Sequence, residues 1–205
     1  MIDWLIFIPA CLALNLAFGP NNLLSMTHGA KSGIVFAQKA AFGRLFVFVP
    51  MIAISALGLG VILTTSAVVF NVVKVIGAIY LIWLGISLWR SSNKVDAAGL
   101  SATEISLKEA FKTEGLVASS NPKAILIFAA FFPQFVSMDA YWLSYLMLGG
   151  AFIMLEAVAI FTYAALGRFA ASFAQNKLPS FQRVSGGTMC VFGLLLLVSP
   201  QPTRG

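Results

Sequence analysis

Charge is scarce in this sequence. Asp, Glu, Lys and Arg make up 10% of its 205 residues, against about 25% in an ordinary soluble domain. Histidine occurs once, at His28, and cysteine twice, at Cys11 and Cys190. The cysteines form no CxxC pair and no metal-ligand spacing, so both read as small buried hydrophobes. HExxH, GxSxG, a P-loop and a Cys/His cluster are all missing. The sequence therefore predicts no enzyme, no metal and no cofactor. The first apolar run lacks a Lys/Arg-rich leader, so residues 2–18 read as a retained membrane helix.

What remains is apolar. Hydrophobic side chains reach 60% and the mean hydropathy is +0.93. A soluble chain of this size could not hide that surface. A cytosolic globular enzyme, a disordered chain and a nucleic-acid-binding domain are excluded, and the natural solvent is a lipid bilayer. A spanning helix takes ~20 apolar residues, so the chain has room for six spans with short connections. The fold class predicted is all-α, a polytopic membrane protein with six transmembrane helices.

Span one reads from Trp4 to Phe18 and continues irregularly through Met26, before a polar cluster at Thr27–Gly33. Span two reads from Ala41 to Leu63, with a turn at Thr64-Thr65-Ser66, and span three from Val68 to Trp89. A linker follows to Lys112, with a capping-box pattern at Ser101 and Glu104 and an i,i+4 pair of Glu104 with Lys108, so it is expected to end as a short surface helix. Span four reads from Thr113 to Val136, span five from Tyr141 to Leu166. A polar stretch from Arg168 to Arg183 leads into span six, Val184 to Ser199.

The formal charge is +6, and nine of the thirteen basic residues fall in three alternate connections. These are Lys31 and Lys39; Arg90, Lys94, Lys108 and Lys112; Arg168, Lys177 and Arg183. The positive-inside rule puts those connections in the cytoplasm and both termini outside.

The chain also reads as repeated. Lys74-x-x-Gly77 opens span three as Arg183-x-x-Gly186 opens span six, with Gly85 and Gly193 following at similar distances. Asn and Pro interrupt the first span of each half, at Gly19-Pro20-Asn21-Asn22 and at Asn121-Pro122-Lys123. Residues 1–90 form one three-helix repeat, 91–107 a cytoplasmic linker and 108–205 the second repeat. Two three-span units in series must lie inverted in the bilayer, an architecture common in secondary transporters.

The interruptions carry the chemistry. Pro suits the first position of a helix, and Gly or Asn suits the cap before it. Both sites therefore read as helix starts inside the membrane, whose free N–H groups and positive dipole ends need an acceptor. A substrate carboxylate would serve. Pro20 lies about 24 Å from the outer face and Pro122 about 12 Å from the inner face, so in a ~30 Å core the two could line one cavity. The predicted binding residues are Gly19, Pro20, Asn21, Asn22, Asn121, Pro122 and Lys123, with Lys123 neutralising the carboxylate. Glu156, midway along span five, and Arg44 in span two are candidates for coupling or for an ion pair, because intramembrane charges face a cavity or a partner.

These motifs resemble those of the LysE family of amino-acid exporters. Phe18-Gly19-Pro20-Asn21-Asn22 is similar to its PGPN signature. Asn121-Pro122-Lys123-Ala124 with Phe131-Phe132-Pro133-Gln134-Phe135 is similar to its NPK…PQF signature. Gly77-Ala78-Ile79-Tyr80-Leu81 with Gly85 resembles its third span, and Arg183-Val184-Ser185-Gly186 the start of its last. The resemblance implies a bacterial inner-membrane exporter of amino acids or related small metabolites, driven by the proton gradient. There are two departures: Phe18 stands for the first Pro of PGPN, and Gly43-Arg44 stands where the family often has Gly-Asp. A membrane thiol electron carrier is excluded, since Cys11 and Cys190 do not occupy matched positions.

The expectation is a secondary transporter for an amphoteric solute, with the proton as coupling ion, the bilayer as surroundings and no nucleic-acid partner. The alternative is a non-transporting membrane assembly subunit, whose breaks mediate packing and whose small residues, such as Gly58 and Gly60, matter more than the amides. Assembly of several copies is left open.

Overall fold

In a computed structural model, residues 2–65, 67–91, 105–169 and 171–198 are described. They form helices and no strand. The order is α1 (Trp4–Leu16), α2 (Pro20–Ser32), α3 (Ile34–Thr65), α4 (Ala67–Ser91), α5 (Leu107–Ser119), α6 (Pro122–Leu126), α7 (Tyr141–Phe169) and α8 (Ala171–Val198). A π turn at Ile127–Phe131 and a 3-10 turn at Phe132–Phe135 prolong α6, and a second 3-10 turn at Met138–Ala140 opens α7.

Two helical stretches, Ile34–Gly58 and Met138–Phe169, are long and apolar enough to cross a membrane. Two more candidate spans are bent pairs: α1 with α2, at 63°, and α5 with Pro122–Phe135, at 49°. Both bends fall at the Asn/Pro interruptions. Leu5, Phe46, Leu146 and Met154 are exposed, whereas Arg44, Glu114, Glu156 and Lys123 are buried. Such a surface suits lipid and the interior carries the polar groups.

Polarity misled the expected ends of several elements. The Thr27–Gly33 cluster is not a loop: α2 runs to Ser32, and the connection is Gly33 alone, at φ +90°. Only glycine adopts that angle without strain. The stretch expected to link spans five and six is largely helical, as α8 begins at Ala171. Polar side chains mark departure from hydrocarbon; they do not end a helix. Likewise α5 begins six residues before the expected Thr113, capped by Ser106 and Glu109, each of which bonds the other's backbone N–H. The Ser101–Glu104 box and the Glu104–Lys108 pair lie outside the described residues, as does Ser66.

Helices from the two halves interleave: α2 packs on α7, α5 on α3, and α4 on α8. Glycines make these approaches close. A Cβ on Gly43 of α3 would collide with the Phe111 carbonyl of α5, and Gly85 and Gly186 each face the other's backbone between α4 and α8. By contrast, a Cβ on Gly58 would meet nothing within 4 Å. Gly43→Ala is therefore expected to lower the thermal midpoint in detergent, with overpacking costing about 1–3 kcal/mol. Gly58→Ala, inside the same helix with nothing to collide with, is expected to leave it unchanged or raise it, by up to about 1 kcal/mol. Equal melting of the two variants would contradict the α3–α5 seam.

Beyond the breaks, toward the α1 N-terminus, lies an aromatic core. Phe7 meets Phe131 and Phe135 at ring-centroid distances of 5.7 and 5.2 Å, and Phe128 meets Phe48 and Phe152 at 5.6 and 4.9 Å. Cys11 is buried in this core, while Cys190 lies on α8, half-buried and bonded to the Ile82 carbonyl.

Candidate functional site

A helix end in an apolar medium leaves carbonyls and amides that must find partners. At the first break the Ala13 carbonyl of α1 accepts from the Ala17 N–H, and the next four carbonyls find side chains. Lys123 Nζ donates to Leu14 O at 3.2 Å and Ala17 O at 2.8 Å. Asn22 Nδ2 donates to Asn15 O at 2.8 Å and Ala17 O at 2.9 Å, and the Tyr163 hydroxyl to Leu16 O at 2.7 Å. An ammonium from the second break thus rests on the negative dipole end of α1.

The amide side of the same break is different. Gly19 is extended at the cap of α2, Pro20 holds the first helical position, and no side chain caps the helix. The N–H groups of Asn21 and Asn22, second and third in the helix, have neither a helical acceptor nor a capping side chain. At the second break Asn121 is the cap: its Oδ1 accepts from Lys123 N at 3.0 Å.

The two breaks touch. Asn121 Nδ2 donates to Asn21 Oδ1 at 2.9 Å, and Asn21 Nδ2 donates to both Glu114 O and Glu114 Oε2 at 3.1 Å. Glu114 is fully buried and its Oε2 lies 3.1 Å from Arg44 Nε as an ion pair. Arg44, also fully buried, donates from one terminal nitrogen to Glu156 Oε1 at 2.9 Å and Asn22 Oδ1 at 3.3 Å. Its other terminal nitrogen donates to Ser25 Oγ. One guanidinium therefore ties α2, α3, α5 and α7 together. The fork of fixed donors makes Arg, rather than Lys, able to do this.

Of the residues singled out from sequence, Asn21, Asn22, Asn121, Lys123, Arg44 and Glu156 come together in this cluster. Gly19 lies beside it: an added Cβ would be 3.6 Å from Lys123 Nζ. The prolines set the breaks but stay at its margin, Pro20 exposed and Pro122 half-buried. Arg44, which replaces the acidic residue frequent in the resembling family, has two acidic partners. Sequence reasoning missed Glu114, Asn15, Ser25 and Tyr163. A carboxylate two helical turns before Asn121-Pro122 is a usable signal, although a span that starts at Thr113 sets Glu114 at the membrane edge.

The cluster holds two cations, Arg44 and Lys123, and two carboxylates, Glu114 and Glu156, so its formal charge is zero when all four are ionised. It also has unused polar capacity. Glu114 Oε1, Asn15 Oδ1 and His28 Nε2 are buried without a hydrogen-bond partner. Each such group costs about 1–3 kcal/mol unless something fills it.

Spans broken around a buried, charge-balanced polar centre define a multi-pass membrane protein. A family model described as LysE type translocator matches residues 12–200. The chain belongs to that family. It is 31% identical over 202 residues to an uncharacterized membrane protein of Vibrio cholerae, covering 94% of this chain and 95% of the relative. It is 30% identical over 196 residues to a homoserine/homoserine lactone efflux protein of Salmonella typhi, with the same coverage. A leucine efflux protein of an Enterobacter species is 27% identical over 186 residues, covering 87% and 84%. No solved structure matches the chain.

Proposed function

We propose that this protein is a secondary transporter that exports amino acids or related small amphoteric metabolites across the bacterial inner membrane, coupled to protons. Family membership and the efflux proteins among its relatives support export. The observation that carries the site is the pairing of unused donors with unused acceptors around one break. The α2 amides of Asn21 and Asn22 offer N–H groups, and Asn15 Oδ1, whose amide nitrogen bonds the Phe152 carbonyl one turn before Glu156, offers lone pairs beside that carboxylate. A zwitterion supplies the complement of both without changing the charge of the cluster. Its carboxylate is assigned to the α2 amides, with Asn21, Asn22 and Asn121 around it and the Lys123 charge nearby. Its amino group is assigned to Glu156.

The proposal includes six spans in two inverted repeats with both termini outside. The interleaving supports it: the first span meets the fifth, the second meets the fourth, and the third meets the sixth. A two-fold axis would generate that set. Exchanging Gly77 with Gly186 and Gly85 with Gly193 turns the contact of Gly85 with Gly186 into one of Gly193 with Gly77. Gly193 faces the Ala78 carbonyl, one residue away. Rocking of the halves about the breaks would open the centre to each side in turn.

Vesicles reconstituted with the protein and loaded with labelled leucine or homoserine test this reading. Efflux faster than from protein-free vesicles, and accelerated by acid outside, is expected. Efflux of both solutes at the protein-free rate, with or without the gradient, would contradict it.

A further inference from the structure

Two carboxylates share one guanidinium in this cluster, and they are not equivalent. Glu156 sits on α7, a continuous helix of 29 residues, and its Oε1 accepts directly from Arg44. Glu114 sits on α5, a half-helix of 13 residues that ends at the second break. Its Oε2 takes the ion pair with Arg44 and the hydrogen bond from Asn21, whereas its Oε1, with no accessible surface, has no partner. A proton arriving at Oε1 breaks no existing bond.

The consequences of a proton also differ. On Glu114 it removes the charge that holds α5 against Arg44 of α3, beside the seam where Gly43 meets Phe111. Asn21 carries that change to the solute site. Its amide nitrogen is bonded to Glu114 and its amide oxygen to Asn121, so one side chain joins the carboxylate to both breaks. The charged groups that act on Glu114 are Arg44 from α3 and, across Arg44, Glu156 from α7; Lys123 of α6 and His28 of α2 act on Arg44 in turn. The two cations match the two carboxylates, so one added proton leaves the cluster with a single uncompensated positive charge. That charge is a driving force for rearrangement.

We propose that Glu114 is the coupling carboxylate of the export reaction, taking up the transported proton on Oε1 and passing its effect to the solute through Asn21. The O–H bond forms as the ion pair with Arg44 is lost. The proton comes from the acidic aqueous side and leaves to the other side, with no electron transfer. This inference rests on the export reading above and assigns its proton to Glu114 rather than to Glu156.

The test has a readout that does not require transport. Infrared difference spectra of the purified protein between acidic and alkaline buffer report the C=O stretch of a protonated buried carboxyl. The parent is expected to show this band, Glu114→Gln to lose it and Glu156→Gln to keep it. Glu114→Asp, which retains a carboxyl, is expected to shift the band, which covers the case in which Glu114→Gln fails to fold. In vesicles carrying labelled leucine or homoserine, the ratio of efflux with and without the proton gradient is expected to fall to unity for Glu114→Gln. A band that is absent from the parent, survives Glu114→Gln or is unmoved in Glu114→Asp would overturn the assignment. If the parent carries neither solute, the export reading fails while the infrared result still decides where the proton binds.

Discussion

Replacing Arg44 by methionine is expected to remove most of the folded protein from detergent extracts. Arg44 is fully buried and, among the described residues, is the one group that bonds both Glu114 and Glu156. Its loss strands two carboxylates and frees Asn22 Oδ1 and Ser25 Oγ of their donor. Breaking a buried ion pair from one side costs about 3–5 kcal/mol. Charge arithmetic then predicts a rescue. In the double variant Arg44→Met, Glu114→Gln, one cation (Lys123) faces one carboxylate (Glu156), and neutrality returns. Its thermal midpoint is expected above that of Arg44→Met and below that of the parent. Arg44→Lys keeps the charge but not the fork, and should fall between the single methionine variant and the parent. Melting of Arg44→Met at the parent's midpoint would contradict the charge-balanced centre.

The second large effect is expected at Asn121, which both caps α6 and bridges to the first break. Asn121→Ala removes the acceptor for Lys123 N–H and the donor to Asn21 Oδ1. Loss of the cap costs about 0.5–2 kcal/mol, and an orphaned buried acceptor about 1–3 kcal/mol. Asn121→Asp separates the two roles. A carboxylate still caps the helix but cannot donate to Asn21, and it adds a negative charge beside the site for the solute's own carboxylate. It orphans the same Asn21 acceptor and adds a buried negative charge, so it is expected to melt below the parent, and the protein that folds is expected to lose efflux of leucine or homoserine by about tenfold or more, equivalent to about 1.4 kcal/mol. Asn121→Ala should lose both stability and efflux. If Asn121→Asp exports like the parent, the bridge between the breaks has no part in transport.

Much of the molecule was legible because the bilayer imposes simple rules. Long apolar runs read as helices, and Gly19-Pro20 and Asn121-Pro122 read as breaks because proline removes an N–H and presets φ. The break residues and the intramembrane charges Arg44 and Glu156 could be picked out one by one, since polar groups in lipid need partners. Their joint geometry was less accessible. The hydrogen bonds of the Lys123 ammonium to the α1 carbonyls were not legible, because they depend on the negative end of a broken helix as well as on the positive one. Glu114 is not legible as a site residue from a span that starts at Thr113, which sets it at the membrane edge. In fact α5 begins at Leu107, seven residues earlier, which carries Glu114 into the interior. Helix ends were the weakest reading, as Gly33 and Ala171 show. Polar composition reports solvent, whereas a helix stops only where backbone geometry or capping stops it.

The account turns on the meeting of the two breaks and on the solute sitting where they meet. Equilibrium binding of labelled leucine and homoserine to the purified parent, Asn121→Asp and Gly58→Ala proteins tests this most directly. Saturable binding of at least one solute to the parent, retained by Gly58→Ala and weakened about tenfold or more in Asn121→Asp, is the expected result. Equal affinity in all three proteins, or no saturable binding of either solute to the parent, would place the solute elsewhere or remove it altogether.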